Sequence, residues 1–359
     1  MCGEPMANFR LPTETFSRRP DRRRLLKAAA AFGVAAMVPK AVGPALAAPA
    51  VVSQTGSLQK VKLTWNQSAL CTVAVAVGND DGIFRKHGLD IELVNFGGST
   101  DLLLEAIGTG KADAGTGMIL RWLKPLEQGF DVKLVAGVQA GCSYLVTAQG
   151  LGIQRIEDLR GKTIGVADIG GTSRNLYAIM MQNNGLDPEK DVAWKVFPDE
   201  VMPMAMEKGE IQAYVAGDPV VYYQVLASQG KLFRLASNAT DEWADRTCCV
   251  LGIRGKIIRD TPDLATSITR SIIEASQSVY RDPQHAVDLV LKYSPRTRTS
   301  NIEDVLAMLK SYPYEQQPVG AEFREQVLLY AKELKRAGVL RPRTDPAKYV
   351  ERITADVGI

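Results

Sequence analysis

Between Val61 and Leu235 short β-rich runs alternate with helical stretches, and no other feature of the 359-residue chain restricts its fold as tightly. Val61–Trp65, Ile91–Asn95, Ala112–Thr116, Val132–Val138 and Tyr144–Ala148 read as strands, as do Thr163–Val166, Val192–Val196, Ala213–Val215 and Leu232–Leu235. Asp101–Thr109 and Arg174–Asn184 carry helical periodicity, and each is followed by a glycine that stops a helix, Gly110 and Gly185. Pro203 and Pro219 stand where a helix can begin without losing a needed N–H. From Pro262 onward the periodicity is helical throughout: Asp263–Arg281, Gln284–Leu291, Ile302–Tyr312 and Ala321–Ala337. Alternation of this kind builds α/β layers with helices covering sheets, here with a helical tail.

Two loops repeat a theme within the alternation. Gly97-Gly98-Ser99-Thr100 follows a strand and opens a helix, and 73 positions later Gly170-Gly171-Thr172-Ser173 does the same. Gly110-Lys111-Ala112-Asp113-Ala114 is echoed by Gly209-Glu210-Ile211-Gln212-Ala213 ahead of a strand. The repetition predicts two α/β units of similar plan with a boundary near Ala140-Gly141-Cys142; chance similarity is the competing explanation. Glycines let a backbone approach a ligand closely, and the first N–H groups of a helix lack helical partners. The helix dipole adds attraction for an anionic or carbonyl oxygen. Ser and Thr at such positions also serve as plain helix caps. Because α/β sheets take ligands at the carboxyl ends of their strands, both loops are candidate binding loops.

The first 47 residues are a different kind of sequence. Asp21-Arg22-Arg23-Arg24-Leu25-Leu26-Lys27 precedes the 11-residue apolar run Ala28–Val38 and then Ala45-Leu46-Ala47. A cationic start, a short apolar middle and small residues before a cleavage point make a secretory signal peptide, and Arg22, Arg23, Leu26 and Lys27 resemble the twin-arginine pattern. A general secretory signal is the other reading. This leader holds eight cations and three anions, so the formal charge of +3 becomes −2 over the remainder. A nucleic-acid binder would keep a basic surface in its folded part; none is expected here. Cys71, Cys142, Cys248 and Cys249 remain after the leader, without a C-x-x-C pair, and His87 and His285 are too far apart for a His-based metal site. No metal and no cofactor are expected.

Catalytic signatures are missing. Gly161-Lys162-Thr163 lacks the glycine a phosphate loop needs, since Ile156 stands there, and there is no Gly-x-Ser-x-Gly elbow. What the chain does show is a set of segments in a telling order. Phe84-Arg85-Lys86-His87-Gly88-Leu89-Asp90-Ile91-Glu92, Gly108 through Gly117, and Asp158-Leu159-Arg160-Gly161-Lys162-Thr163-Ile164-Gly165-Val166 resemble three segments of the solute-binding proteins of nitrate/sulfonate/taurine ABC importers. The resemblance covers Val61 to about Ile258.

It implies a type II-like periplasmic binding protein fold: two α/β lobes joined by two crossovers near Val138–Cys142 and Thr247–Val250, with C-terminal helices on the first lobe. The expected division is leader 1–47, first lobe 48–140, second lobe 141–248, and a return with the tail over 249–359. The implied ligand set is Trp65, Asn66, Gln67, Gly98, Ser99, Thr100, Gly117, Met118, Cys142, Gly171, Thr172, Ser173 and Asp218. Trp65 could stack on a solute or fill the core, Asp218 could accept from an amine or cap the helix at Pro219, and Arg174 could neutralise an anion or face solvent. Cys142 could pair with Cys248 or Cys249 if the crossovers lie side by side. The implied protein is a monomeric, non-enzymatic periplasmic subunit that hands a small polar solute to an ABC permease. A receptor presenting its ligand to a membrane sensor, and an enzyme like the pyrimidine-precursor synthase of thiamin biosynthesis, are the alternatives.

Overall fold

Ten strands among the described residues form two five-stranded sheets. Strands β1 (Gln59–Trp65), β2 (Leu89–Asn95), β3 (Ala114–Met118) and β4 (Val132–Gln139) belong to the first. The second holds β5 (Ser143–Ala148), β6 (Thr163–Val166), β7 (Ala193–Val196), β8 (Ala213–Gly217) and β9 (Leu232–Ser237). Strand β10 (Cys249–Arg254) then returns to the first sheet. The computed structural model describes residues 57–95, 100–294 and 300–359. The leader with its arginine motif lies outside them, as do Gly98 and Ser99.

The sheets share one plan. Their orders are β2-β1-β3-β10-β4 and β7-β6-β8-β5-β9. In each, a central strand runs parallel to both neighbours, with Val61 opposite Ile91 and Leu63 opposite Ala114 in one, and Ile164 opposite both Trp194 and Ala213 in the other. The next strand is antiparallel: β10 between β3 and β4, β5 between β8 and β9. Strands β3, β6 and β8 are nearly buried along their length, as expected where helices cover a parallel sheet.

The helices are α1 (Val73–Asp80), α2 (Ile83–Lys86), α3 (Thr100–Gly108), α4 (Ile119–Glu127), α5 (Thr172–Asn183), α6 (Met202–Glu207), α7 (Val220–Ala227), α8 (Gly255–Asp260), α9 (Pro262–Arg281), α10 (Pro283–Tyr293), α11 (Ile302–Ser311), α12 (Gly320–Arg336) and α13 (Pro346–Ile353). The tail starts its helices with side-chain caps: Asp282 accepts from the His285 N–H at 3.0 Å, Asn301 from Glu303 at 2.9 Å, and Asp345 from Ala347 and Lys348 at 2.9 and 3.1 Å. Helices α9 and α10 pack on α1, and α12 and α13 on β4, so the tail belongs to the first lobe. No helix among the described residues is long and apolar enough to cross a membrane.

This topology corrects half of the sequence echo. Gly110 and Gly209 precede β3 and β8, which are equivalent strands. The glycine loops are not equivalent: α3 follows the edge strand β2, whereas α5 follows the inner strand β6. The true counterpart of the α5 start is the segment from Asn66 to the 3-10 turn Leu70–Thr72, after β1. Strand β10 and helices α1 and α4 are also absent from the sequence expectation.

Candidate functional site

A cavity of about 360 Å³ lies between the lobes, lined from both. That size suits a small organic molecule. The first lobe gives Asn66, Ser68 and Ala69 after β1, Asp101 on α3, Met118 at the end of β3 and Arg121 on α4. The second gives Asp168 and Gly171 through Arg174 around the start of α5, with Asp199, Gly217 and Asp218 from its other strand ends. Cys142, Ser143 and Cys248 enter from the two crossovers.

Helix α5 aims its first turn at this space. Gly171 is the N-cap and supplies no side-chain bond, so the hydroxyls that follow are not caps. Ser173 Oγ instead meets Ser143 Oγ at 3.0 Å. The Thr172 hydroxyl oxygen is buried and has no hydrogen-bond partner, and Arg174 Nε shares that condition. The remaining reach of the Arg174 guanidinium goes to Glu189 and over the Trp194 ring, 5.3 Å from its centroid. Thus Arg174 neither faces solvent nor stands as a bare cation; it is 5% exposed. The start of α5, whose first N–H groups lack helical partners, lines the cavity from Gly171 to Arg174 and suits an oxygen acceptor.

The other polar groups are already engaged. Arg121 bonds Asp101 Oδ1 through Nε at 2.7 Å and reaches over the cavity to Asp168 of the second lobe. Asp101 first, then Asp168, hold its guanidinium charge more firmly than usual. Against the cost of burial, the Gly170 N–H and Arg121 keep the Asp168 carboxyl below its ordinary range. Asp218 accepts from the Tyr222 N–H at 3.0 Å, which caps α7, from the Tyr312 hydroxyl at 3.4 Å, and from Arg234 at 3.5 Å. Burial pushes its carboxyl above the ordinary value, opposed by Arg234 and Tyr144.

Seven of the sequence-derived residues stand together in the wall: Asn66, Met118, Cys142, Gly171, Thr172, Ser173 and Asp218. Three stand elsewhere. Trp65 is 3% exposed and packs edge-on against Tyr293 at 5.6 Å, a core role. Gln67 turns its backbone N–H to Asn95 Oδ1 at 3.1 Å. Gly117 lies beneath Trp122, where an added Cβ would be 2.0 Å from the ring; its role is close packing. Gly98 and Ser99 lie outside the described residues, as does the side chain of Thr100. Sequence reasoning missed Ser68, Asp101, Arg121, Ser143, Asp168, Asp199 and Cys248 as wall residues; Asp101 and Asp168 flank the glycine loops, a signal that was available. The suggested cysteine pairing is absent: Cys71, Cys142, Cys248 and Cys249 are all buried free thiols. Among the described residues no group of three or more His, Cys, Asp or Glu is arranged to hold a metal ion.

The profile of the NMT1-like family matches residues 54–290. The chain belongs to that family. A binding protein of Brucella abortus is 28% identical over 229 residues, 62% of this chain and 67% of its own. A 4-amino-5-hydroxymethyl-2-methylpyrimidine phosphate synthase of Saccharomyces cerevisiae is 25% identical over 248 residues, 62% of this chain and 68% of its own. Among solved structures, the periplasmic aliphatic sulphonate binding protein of Escherichia coli superposes with a TM-score of 0.67 at 18% identity, covering 84% of this chain and 93% of that one. The periplasmic nitrate-binding protein of Synechocystis PCC 6803 gives 0.64 at 14% identity, covering 83% and 86%. The NMT1-like chain therefore has the two-lobed periplasmic binding protein fold.

Proposed function

We propose that this chain is the extracytoplasmic solute-binding subunit of an ABC importer, exported by its leader and acting on a small polar organic solute without chemistry. The observation that carries the reading is the cavity between the lobes, lined by the start of α5 from Gly171 to Arg174. An acidic or carbonyl oxygen of the solute occupies that point. Wall charge narrows the class further. Asp101, Asp168, Asp199 and Asp218 outnumber Arg121 and Arg174 in the wall, so a bare inorganic anion meets a net negative surround. The solute accordingly carries a hydrogen-bond donor as well, as an amino-bearing or zwitterionic acid does.

Enzyme chemistry of the synthase kind has less support, because both histidines lie away from the wall: His87 pairs with Glu274 at 2.8 Å and His285 with Asp81 at 2.7 Å. A thermal-shift panel on ligand-stripped protein tests the proposal. A zwitterionic sulfonate or amino acid at 100 times its dissociation constant adds about 2.7 kcal/mol to native stability. A panel in which nitrate or a simple alkanesulfonate stabilises and no amino-bearing solute does would overturn the charge argument; silence across all solutes would overturn the transport reading.

A further inference from the structure

Four thiols converge where the two crossovers pass each other. Cys142 ends the first crossover just before β5, Cys248 ends the second just before β10, Cys249 opens β10, and Cys71 sits in the turn after β1. They form a closed ring of neighbours. Their mutual influence, opposed by burial, holds Cys71 and Cys248 below the ordinary thiol value, while the same neighbours together with burial push Cys142 and Cys249 above it. Asn238 adds a further bond to Cys248. Only half of the ring meets the cavity. Cys142 and Cys248 line its floor; Cys71 and Cys249, 3% and 1% exposed, are outside its wall.

We propose that Cys142 and Cys248 are a reversible oxidation site that a small disulfide reaches through the solute cavity, and whose closure staples the two crossovers together. The Cys248 thiolate attacks one sulfur of the disulfide, forming a mixed disulfide and releasing the first thiolate. Cys142, as its proton leaves, attacks the Cys248 sulfur and expels the second. Two electrons pass to the incoming disulfide and its two thiolates take up the two protons, so the sum is two protein thiols exchanged for two small ones. An oxidising compartment supplies such disulfides. The reaction needs no solute bound, so it stands or falls separately from the identity of the cargo.

The test is oxidation of the folded full chain with glutathione disulfide, followed by an acid quench, denaturation, alkylation and mass spectrometry of unreduced peptides. The expected product is a Cys142–Cys248 cross-link that dithiothreitol reverses, with Cys71 and Cys249 alkylated. Cys142→Ser should stop at Cys248 carrying glutathione, and Cys71→Ala should still form the cross-link. Complete alkylation of all four thiols in the wild-type chain, or a cross-link through Cys71 or Cys249, overturns the proposal without reliance on any variant's folding.

Discussion

Thr172 offers a residue-level experiment in which binding and stability move in opposite directions. Its hydroxyl oxygen is buried without a partner, and such a group costs stability until something bonds to it. Thr172→Val keeps the shape and removes the oxygen. The unliganded variant should melt no lower than wild type, whereas solute affinity should fall about 2- to 12-fold, the worth of one hydrogen bond of roughly 0.5–1.5 kcal/mol. Calorimetry beside a melting curve reads both; a lower melting point with unchanged affinity would make Thr172 a structural residue. Thr172 was legible because a Gly-Gly-Thr-Ser run before a helix advertises exposed N–H groups. Arg121 was not, since Pro125 in the last turn masks a short helix whose Ile119, Trp122, Leu123 and Leu126 do carry helical spacing. Asp218 was read as an alternative between cap and ligand; the Tyr222 N–H shows the cap.

At the scale of elements, two contacts decide how the tail holds the body. Arg246, between β9 and β10, grips Glu333 of α12 through two bonds of 3.0 and 3.1 Å, with the carboxylate side chain 8% exposed. Removing one partner of a buried pair strands the other charge. Glu333→Leu should therefore cost about 3–5 kcal/mol in urea unfolding, far more than an exposed pair would. The second contact is pH-sensitive. Asp81, at the end of α1, holds the His285 imidazolium of α10 above its ordinary value of 6.5. The folded state then binds this proton more tightly than the unfolded chain. Its contribution is complete below about 6.5 and disappears as pH climbs through the raised folded value. His285→Gln should lower the urea midpoint at pH 5.5 and leave it unchanged at pH 9. Sequence patterning found nine strands and the long helices, because alternation and periodicity are local. It missed β10, whose Gly252 sits against Trp122 and Val132; only the sheet around it makes Cys-Val-Leu-Gly-Ile-Arg a strand.

Across the whole molecule, Arg121 with Asp168, the latter about half exposed, is one solvent-reachable tie between the lobes, beside Arg336 with Gln182 and Asn183 and Tyr222 with Asp304. Arg121→Gln should open the cleft, seen as a larger radius of gyration in small-angle X-ray scattering of the unliganded protein. Salt near 1 M, where screening acts within about 3 Å, should open the wild type in the same direction. An unchanged radius in both would mean that the apolar cluster spanning α4, α5 and α12, with the Arg336 and Tyr222 bonds, holds the lobes without Arg121. The placement of β10 has a further consequence, one of time. It lies between β3 and β4 in the first sheet, yet the ribosome makes it after the whole second lobe. A nascent chain truncated before Cys249 has β5 to β9 complete while β3 and β4 have bare edges facing each other. The later lobe is therefore free to fold first, and the earlier one must wait, exposed to chaperones and proteases, until its keystone strand emerges.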